Sequence, residues 1–332
     1  MTVASTQVTL GFQTDKTGAE YARLAVMGEA LGFDGLSVFH DFGFQPSLYP
    51  LLEMARVTTQ VRLGAACLNP FLLHPVEIAG QAAALDLASD GRAYVGLTRG
   101  AWLHRVGAHQ HRPVRAMAEA IEVIRRLLRG DESEYRGEVF PLEAGTKLMY
   151  PRVRPEMDVM LGTWGPRGLA LGGRAADEVK LGGCANPDMV RHARALVDEA
   201  SEGRSVGLVA GAVTVVDENG PLARVRARTE VAIYLDVVAA QDATLDVPEH
   251  VLGPLRAALA AGDQDAAGRL VPDEFLSKFA FAGTPDEVAA HAATLVDAGA
   301  SRIEFGTPHG RSHDCGVELL GKRVLPALKK QQ

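Results

Sequence analysis

Short apolar segments alternate with amphipathic segments along most of the chain. Within residues 112–129, Val114, Met117, Ile121, Ile124 and Leu128 recur at intervals of three and four, which predicts a helix with one apolar face. We interpret eight Val-, Leu- and Gly-rich segments as strands, namely VTLGF, GLSVFH, VRLGAACL, RAYVGLT, DVMLGTW, EVKLGG, VGLVAGAVTVV and RIEFGT. This alternation indicates parallel βα units, because parallel strands need helical crossovers.

The last predicted helix carries clear boundary signals. Thr284 and Glu287 match a capping box around Pro285 at the first helical position, and Gly299 follows the helix as its C-cap. Eight βα units in order predict an α/β fold, a (β/α)8 TIM barrel. A doubly wound sheet is the structural alternative, because strand order cannot be read from sequence.

Two segments interrupt the repeat. Residues 131–157 contain a Tyr-Arg-Gly-Glu-Val-Phe run that predicts a small hairpin, and residues 241–280 are rich in Ala and Leu and predict helices. Long excursions on barrel loops are commonly lids or subunit contacts. We therefore expect residues 1–332 to form a single barrel domain with two insertions.

Composition excludes several classes of partner. The net charge is −7 and the basic residues are dispersed, so nucleic acid is not an expected partner. The first residues lack a signal-peptide pattern and no apolar run approaches a membrane span of about 18 residues, so we expect a cytoplasmic protein without membrane contact. Three widely spaced cysteines and the His109-Gln-His111 pair in a polar stretch do not indicate a metal site.

Glycine and polar residues gather where the predicted strands end, which is where barrel active sites are built. Gly165-Pro166 and Asn186-Pro187 would aim two helix N-termini at one anion such as a phosphate, with Arg167 as the nearest cation. The alternative is that these Gly and Pro residues only form the turns between strands and helices and bind no ligand. The strand exits are His40-Asp41 and residues 66–70, 98–102, 163–166, 182–187 and 306–310.

Three segments carry a family resemblance: NPFLLHPVEIAGQAAALDLASDGRAYVGLTRGAWLHRVG, GTWGPRGLALGGRAADEVKLGGCANPDMV and FAGTPDEVAAHAATLVDAGASRIEFGTPHG. They resemble the bacterial luciferase-like superfamily, and within it the methylenetetrahydromethanopterin reductase-like branch. The resemblance implies a TIM barrel that holds a flavin, or its deazaflavin relative coenzyme F420, at the C-terminal mouth. That branch generally uses the deazaflavin for hydride transfer, whereas other branches use reduced FMN and oxygen as monooxygenases. It also implies a homodimer.

The resemblance assigns cofactor contacts to this chain. It implies a cis peptide bond between Ala66 and Cys67 at a bulge in the third strand, under the cofactor ring, with Asn69 following in the same exit. The fifth and sixth exits would contact the cofactor phosphate, with Thr163 and Trp164 closer to the ring. Trp164 could instead be a buried barrel side chain. The phosphate contacts are Gly165, Pro166, Gly183 and Cys184, with Arg167 and Arg99 as neighbouring cations.

Departures from the family bear on the reaction. Sugar-phosphate dehydrogenases of the superfamily place His and Glu where this chain has Asp41 and Ala101, so sugar-phosphate oxidation is not expected. His40 or Asp41 is the candidate for proton transfer, unless they are a surface His and a cap-like Asp. Arg99 and Trp102 are candidates to hold an anionic or planar substrate, although Arg99 could equally be a structural ion-pair partner. His309 is a candidate to line the mouth.

The expected function is coenzyme F420-dependent hydride transfer to or from a small organic molecule. One alternative is an FMN-dependent monooxygenase. Another is a non-catalytic flavin- or deazaflavin-binding protein, which the missing Glu at Ala101 favours.

Overall fold

The alternation of strands and helices is present throughout residues 6–330, which are the residues described by the computed structural model. The strands are β1 (Gln7–Phe12), β2 (Gly35–Val38), β3 (Arg62–Leu68), β4 (Ala93–Thr98), β5 (Val159–Gly162), β6 (Glu178–Gly182), β7 (Gly207–Val216), β8 (Ala280–Gly283) and β9 (Arg302–His309). The α-helices are α1 (Gly18–Ala30), α2 (Leu48–Ala55), α3 (Pro75–Ser89), α4 (Pro113–Arg129), α5 (Pro166–Ala175), α6 (Pro187–Ala200), α7 (Gly220–Ala232), α8 (Leu235–Ala239), α9 (Glu249–Ala260), α10 (Gln264–Arg269), α11 (Asp273–Phe279), α12 (Pro285–Asp297), α13 (His313–Leu319) and α14 (Leu325–Lys330). A 3₁₀ turn spans Leu103–Val106 and a π-helical turn spans Leu320–Val324.

The sheet closes on itself. β1 to β7 pair in sequence order, β7 also pairs with β9, and β9 pairs with β1, all in parallel. An open doubly wound sheet would leave two strand edges unpaired, whereas this ring leaves none. The prediction of a (β/α)8 TIM barrel is therefore confirmed.

One strand was not predicted. β8 lies outside the ring, and within residues 6–330 it pairs only with the second half of β7, from Val213 to Val216. Its four residues are too few to show an alternating pattern, and they follow directly on the helices α9, α10 and α11 of the 241–280 segment. Thr284 follows β8 and caps α12, where the predicted capping box with Glu287 is confirmed.

The helical layer covers the barrel with apolar faces. On α4, Met117, Ile121, Ile124 and Leu128 are at most 5% exposed, as their spacing predicted, and Val114 at the helix start is half-buried. Each such burial stabilises the fold by about 1.5–3 kcal/mol. Within residues 6–330, no helix has both the length and the apolar character that crossing a bilayer requires.

The hairpin predicted in residues 131–157 is reduced to a single antiparallel bridge between Tyr135 and Leu142. The reason is the buried carboxylate of Glu119 on α4, which accepts hydrogen bonds from the amides of Glu138 (3.0 Å), Val139 (2.8 Å) and Phe140 (2.9 Å). Those amides cannot also build a ladder. The segment is thus anchored to α4 through one side chain.

Glu119 is held ionised by these donors. Burial alone would raise the pKa of its carboxyl group, but the amides of Phe140 and Val139 and the Arg115 guanidinium outweigh burial and lower the pKa to about 2. The Arg115 Nε atom lies 2.5 Å from the Glu119 Oε1 atom.

We predict that Glu119→Gln lowers the free energy of unfolding at pH 7 by about 2–4 kcal/mol. A carboxyl group with a depressed folded-state pKa stabilises the protein fully above its ordinary value of 4.5 and loses that effect as the pH falls toward 2. Urea unfolding at several pH values should show the gap between the two proteins closing over this range. Glu122→Gln, on the same helix but half exposed, is the control with a change below about 1 kcal/mol. A gap that stays constant from pH 7 to pH 3 would contradict the assignment.

Candidate active site

The second strand exit brings His40 and Asp41 to the carboxyl end of the barrel. His40 is half-buried, and its buried Nδ1 atom has no hydrogen-bond partner within residues 6–330. Burial lowers the pKa of His40, and the neighbouring Asp41 carboxylate opposes that effect. Asp41 is exposed and accepts a hydrogen bond from Gln13 Nε2 at 2.9 Å. A neutral imidazole with an unused ring nitrogen can accept a proton.

The third exit has the backbone that the resemblance implied. The Ala66–Cys67 peptide bond is cis, and the register between β3 and β4 shifts between Ala65 and Leu68. The Cys67 Sγ atom lies against Gly96 and Gly162, at the floor of the barrel mouth. Burial raises the pKa of Cys67 to about 11, so the thiol is protonated at neutral pH and is not a nucleophile.

The third and fourth exits are tied together. Asn69 is buried, accepts the amide of Leu72 at 3.0 Å and packs against Gly100. Gln110 donates to the carbonyls of Arg99 and Gly100, each at 2.8 Å. The Arg99 side chain is exposed and forms no ion pair within the described residues, so the alternative interpretation of Arg99 as a structural ion-pair partner is wrong. Trp102 is half-buried beside it, in a left-handed backbone conformation.

The fifth exit forms an open helix start. Gly165 is the N-cap of α5, with Pro166 at the first helical position, and no side chain of residues 6–330 caps this end. A Cβ atom placed on Gly165 would meet no atom of the described residues within 4 Å, its own chain neighbours aside. Arg167 is exposed on the same turn, and the Thr163 Oγ1 atom lies against Gly168. Within residues 6–330 no side chain accepts a hydrogen bond from the amides of Arg167 and Gly168, so both can donate to an anion, with the Thr163 hydroxyl beside Gly168.

Trp164 is a buried barrel side chain, which was the second of the two interpretations made from sequence. It is 7% exposed and its Nε1 atom donates to the carbonyl of Gly182 at 3.1 Å. The indole thus joins the fifth exit to the sixth, and any contact with a cofactor ring stays a prediction.

The sixth exit differs from its prediction. The amides of Gly183 and Cys184 both donate to the carbonyl of Gly211 on β7, at 2.6 and 2.9 Å. Cys184 is fully buried, and burial raises its pKa to about 12. The prediction that these two amides bind a phosphate is wrong, because both already donate their hydrogen bonds to the Gly211 carbonyl of β7.

The start of α6 is closed as well. Asn186 caps this helix by accepting the Asp188 amide, and its own side-chain amide donates to Asp242 (2.8 Å) and Thr244 (2.9 Å). The Lys278 Nζ atom also donates to the side-chain oxygen of Asn186, Oδ1, at 3.1 Å. The two helix starts therefore do not share one anion; the open one is α5.

His309 does not line the mouth. It is 0% exposed and packs against Phe12, with ring centroids 5.0 Å apart. Its Nδ1 atom lies 3.3 Å from His313 Nδ1, and its Nε2 atom lies 3.1 Å from the carbonyl oxygen of Phe305. Burial and the neighbouring His313 lower the pKa of His309 to about 3, so the ring is neutral. Within residues 6–330, no group of three His, Cys, Asp or Glu residues is arranged to hold a metal ion.

Sequence reasoning missed the ion pair inside the barrel. Lys180 of β6 pairs with Glu304 of β9, both are at most 4% exposed, and Ser37 donates to Glu304 at 2.8 Å. Burial alone would raise the pKa of Glu304, but Lys180 and Arg302 lower it below its ordinary value. The Lys180 Nζ atom also lies 5.4 Å from the centre of the Phe39 ring. The sequence did contain a signal for this ion pair, namely a charged residue in the middle of each of two short apolar strands, Lys180 in β6 and Glu304 in β9.

Tyr234, between α7 and α8, was missed too. Its Cε2 atom would lie 3.7 Å from a Cβ atom on Gly183, so its ring covers the sixth exit. Burial raises the pKa of Tyr234, and the carboxylates of Glu230 and Asp41 raise it further. Since Asp41 belongs to the second exit, Tyr234 lies within electrostatic range of that exit. No pattern in the sequence indicates where this residue folds.

These exits define a TIM-barrel enzyme with its candidate site at the carboxyl ends of the strands. Residues 1–302 match the model of the family described as luciferase-like monooxygenase. The chain belongs to this family and is an oxidoreductase, rather than a non-catalytic binding protein.

Known relatives align nearly end to end. The 5,10-methylenetetrahydromethanopterin reductase of Archaeoglobus fulgidus is 29% identical over 322 residues, 93% of this chain and 95% of the relative. The F420-dependent glucose-6-phosphate dehydrogenase of Mycobacterium avium is 24% identical over 334 residues, 94% of each chain. The structure of the coenzyme F420-dependent tetrahydromethanopterin reductase of Methanopyrus kandleri superposes with a TM-score of 0.88 at 24% identity, covering 98% of this chain and 100% of that chain. This superposition shows a shared fold.

We predict that Lys180→Met destabilises the protein by about 3–5 kcal/mol, because it leaves the Glu304 carboxylate buried without its partner. The double variant Lys180→Met/Glu304→Gln should recover a large part of that loss, since no charge is then unpaired. Urea unfolding of the four proteins of the double-mutant cycle measures the coupling. Equal losses in the single and double variants would refute it.

Proposed function

We propose that the protein is a coenzyme F420-dependent oxidoreductase that transfers a hydride between the deazaflavin and a small organic substrate. The observation that carries this proposal is the open, uncapped start of α5 at Gly165, beside a mouth floored by the Ala66–Cys67 bulge. End-to-end similarity to reductases and dehydrogenases, two of them F420-dependent by name, supports the choice of cofactor.

The residues present fit a planar ring with an anionic tail. The amides of Arg167 and Gly168 and the positive end of the α5 dipole would hold a phosphate, and Gly165 leaves room for it. The half-buried Ala66 and Cys67 and the neutral Cys67 thiol offer an uncharged surface for the ring. When bound, the cofactor supplies the hydride chemistry.

The chain itself would orient the substrate and manage a proton. Arg99 and Trp102 both belong to the fourth exit, and the Arg99 guanidinium forms no ion pair within residues 6–330. These two residues suit an anionic or planar substrate. His40 is the group we assign to proton transfer, because its Nδ1 atom is buried and unpartnered while Asp41 is exposed and bonded to Gln13. With Asp41 and Ala101 in place of His and Glu, we infer a substrate other than a sugar phosphate.

The experiment that tests this proposal is a pair of titrations with F420 and with FMN, followed by absorbance and fluorescence. We predict micromolar binding of F420 and weaker binding of FMN. Gly165→Glu should weaken F420 binding at least about tenfold, which is about 1.4 kcal/mol, because a carboxylate then occupies the anion site. An acidic residue at a helix start does not impair folding.

Gly165→Gln is the matched control, equal in size but uncharged, and should retain most of the affinity. Tighter binding of FMN with oxygen consumption would favour the monooxygenase alternative. No binding of either cofactor would overturn the proposal.

We also predict that His40 titrates below the ordinary histidine value of about 6.5, because burial disfavours the imidazolium. Asp41→Asn should lower the pKa further, because the carboxylate opposes the effect of burial. NMR titration of the imidazole resonances measures both values, with His40→Gln identifying the signal. An Asp41→Asn protein whose His40 pKa rises would contradict this arrangement.

A further inference from the structure

A cavity of about 400 Å³ lies outside the mouth, between the starts of α4 and α5. Its walls come from three parts of the chain: the first turn of α4, the first turn of α5 and the segment that Glu119 anchors. The lining residues are Arg112, Pro113, Val114, Arg115, Glu138 and Arg167.

The cavity is positively charged in a chain whose net charge is −7. Three guanidinium groups face one carboxylate, a net charge of two positive. Glu138 pairs with Arg112 and, at 3.2 Å, with Arg115. Arg167 forms no ion pair with any residue between 6 and 330, so the cavity holds more cationic groups than its own carboxylate can satisfy. Arginine forks match carboxylate groups in geometry as well as in charge.

The cavity adjoins the start of α5, where we propose that the cofactor phosphate binds. Arg167 is two residues from Gly165, so a ligand whose phosphate lies at the start of α5 would continue directly into the cavity. The far wall is rigid, because the backbone amide of Glu138 is held by the buried Glu119 carboxylate. The Glu138 side chain is about half exposed and can turn away when another carboxylate takes its place.

We infer that this cavity binds an oligocarboxylate chain, the glutamyl extension of the deazaflavin cofactor, and that Glu138 is an internal competitor which the extension displaces. The inference rests on the proposed function and adds to it a binding site for the acidic end of the cofactor. It assigns Arg112 and Arg167 as the main contacts, since Arg115 is also committed to Glu119.

The test compares two forms of the deazaflavin, both phosphorylated, one with several glutamyl residues and one with none. The wild-type protein should bind the glutamylated form at least about tenfold more tightly, a difference that shrinks as salt is raised. Arg112→Gln and Arg167→Gln should each remove a several-fold part of this preference. Glu138→Gln should increase it, because the competing carboxylate is gone. Arg136→Gln, on the same segment but outside the cavity lining, should leave it unchanged.

The outcomes separate the two proposals. If both forms bind equally, or if Glu138→Gln fails to increase the preference, the inference about the cavity is overturned while the cofactor assignment stands. If neither form binds, the proposed function fails; free triglutamate, titrated in the same variants, then tests the cavity alone. Triglutamate binding that is insensitive to Arg112→Gln and Arg167→Gln would overturn the inference on its own.

Discussion

The ion pair between Lys180 and Glu304 sets the conditions for the interior of the barrel. Two charges with almost no access to water are tolerated only if each has partners. Besides pairing with Lys180, Glu304 accepts a hydrogen bond from Ser37 and is stabilised by the positive charge of Arg302. The pair also needs space. A Cβ atom on Gly211 would lie 3.2 Å from Glu304 and 3.3 Å from Lys180, so the strand beside them has no side chain at that position. Both charges lie within electrostatic range of the Cys67 thiol at the floor of the mouth.

Two exits with similar sequences have different roles because of what packs on them. Gly183 and Cys184 donate their amides to the carbonyl of Gly211, the last β7 residue that pairs with β6 before β7 pairs with β8. The 241–280 segment supplies Asp242 and covers the start of α6. Among residues 6–330, none covers Gly165 in the same way. The proposed anion site therefore rests on the open position at Gly165, rather than on the glycine-rich pattern that both exits share.

The sequence predicted those features that depend on residues close together in the chain, and it failed for features that depend on residues far apart in the chain. The eight barrel strands, the α4 face and the α12 capping box depend on periodicity and neighbouring residues, and they were predicted. The family resemblance implied the cis bond at Cys67. The hairpin, the free amides of the sixth exit and the exposure of His309 depend on partners that are distant in sequence, such as Glu119 for residues 138–140. Such pairings leave no local signal.

Glu119 links the stability of the helical layer to the shape of the outer rim. Its neighbours on α4 bury their side chains in the core, whereas its own carboxylate reaches the 131–157 segment and fixes the backbone of Glu138. A carboxylate saturated by three amides and one guanidinium is a rigid connection, because loss of any one donor leaves a buried charge partly unsatisfied. The backbone of Glu138, which lines the cavity together with Arg112, Arg115 and Arg167, is therefore fixed to α4. The side chains of Arg112, Glu138 and Arg167 at the cavity are exposed, in contrast to the buried Glu119 carboxylate behind them.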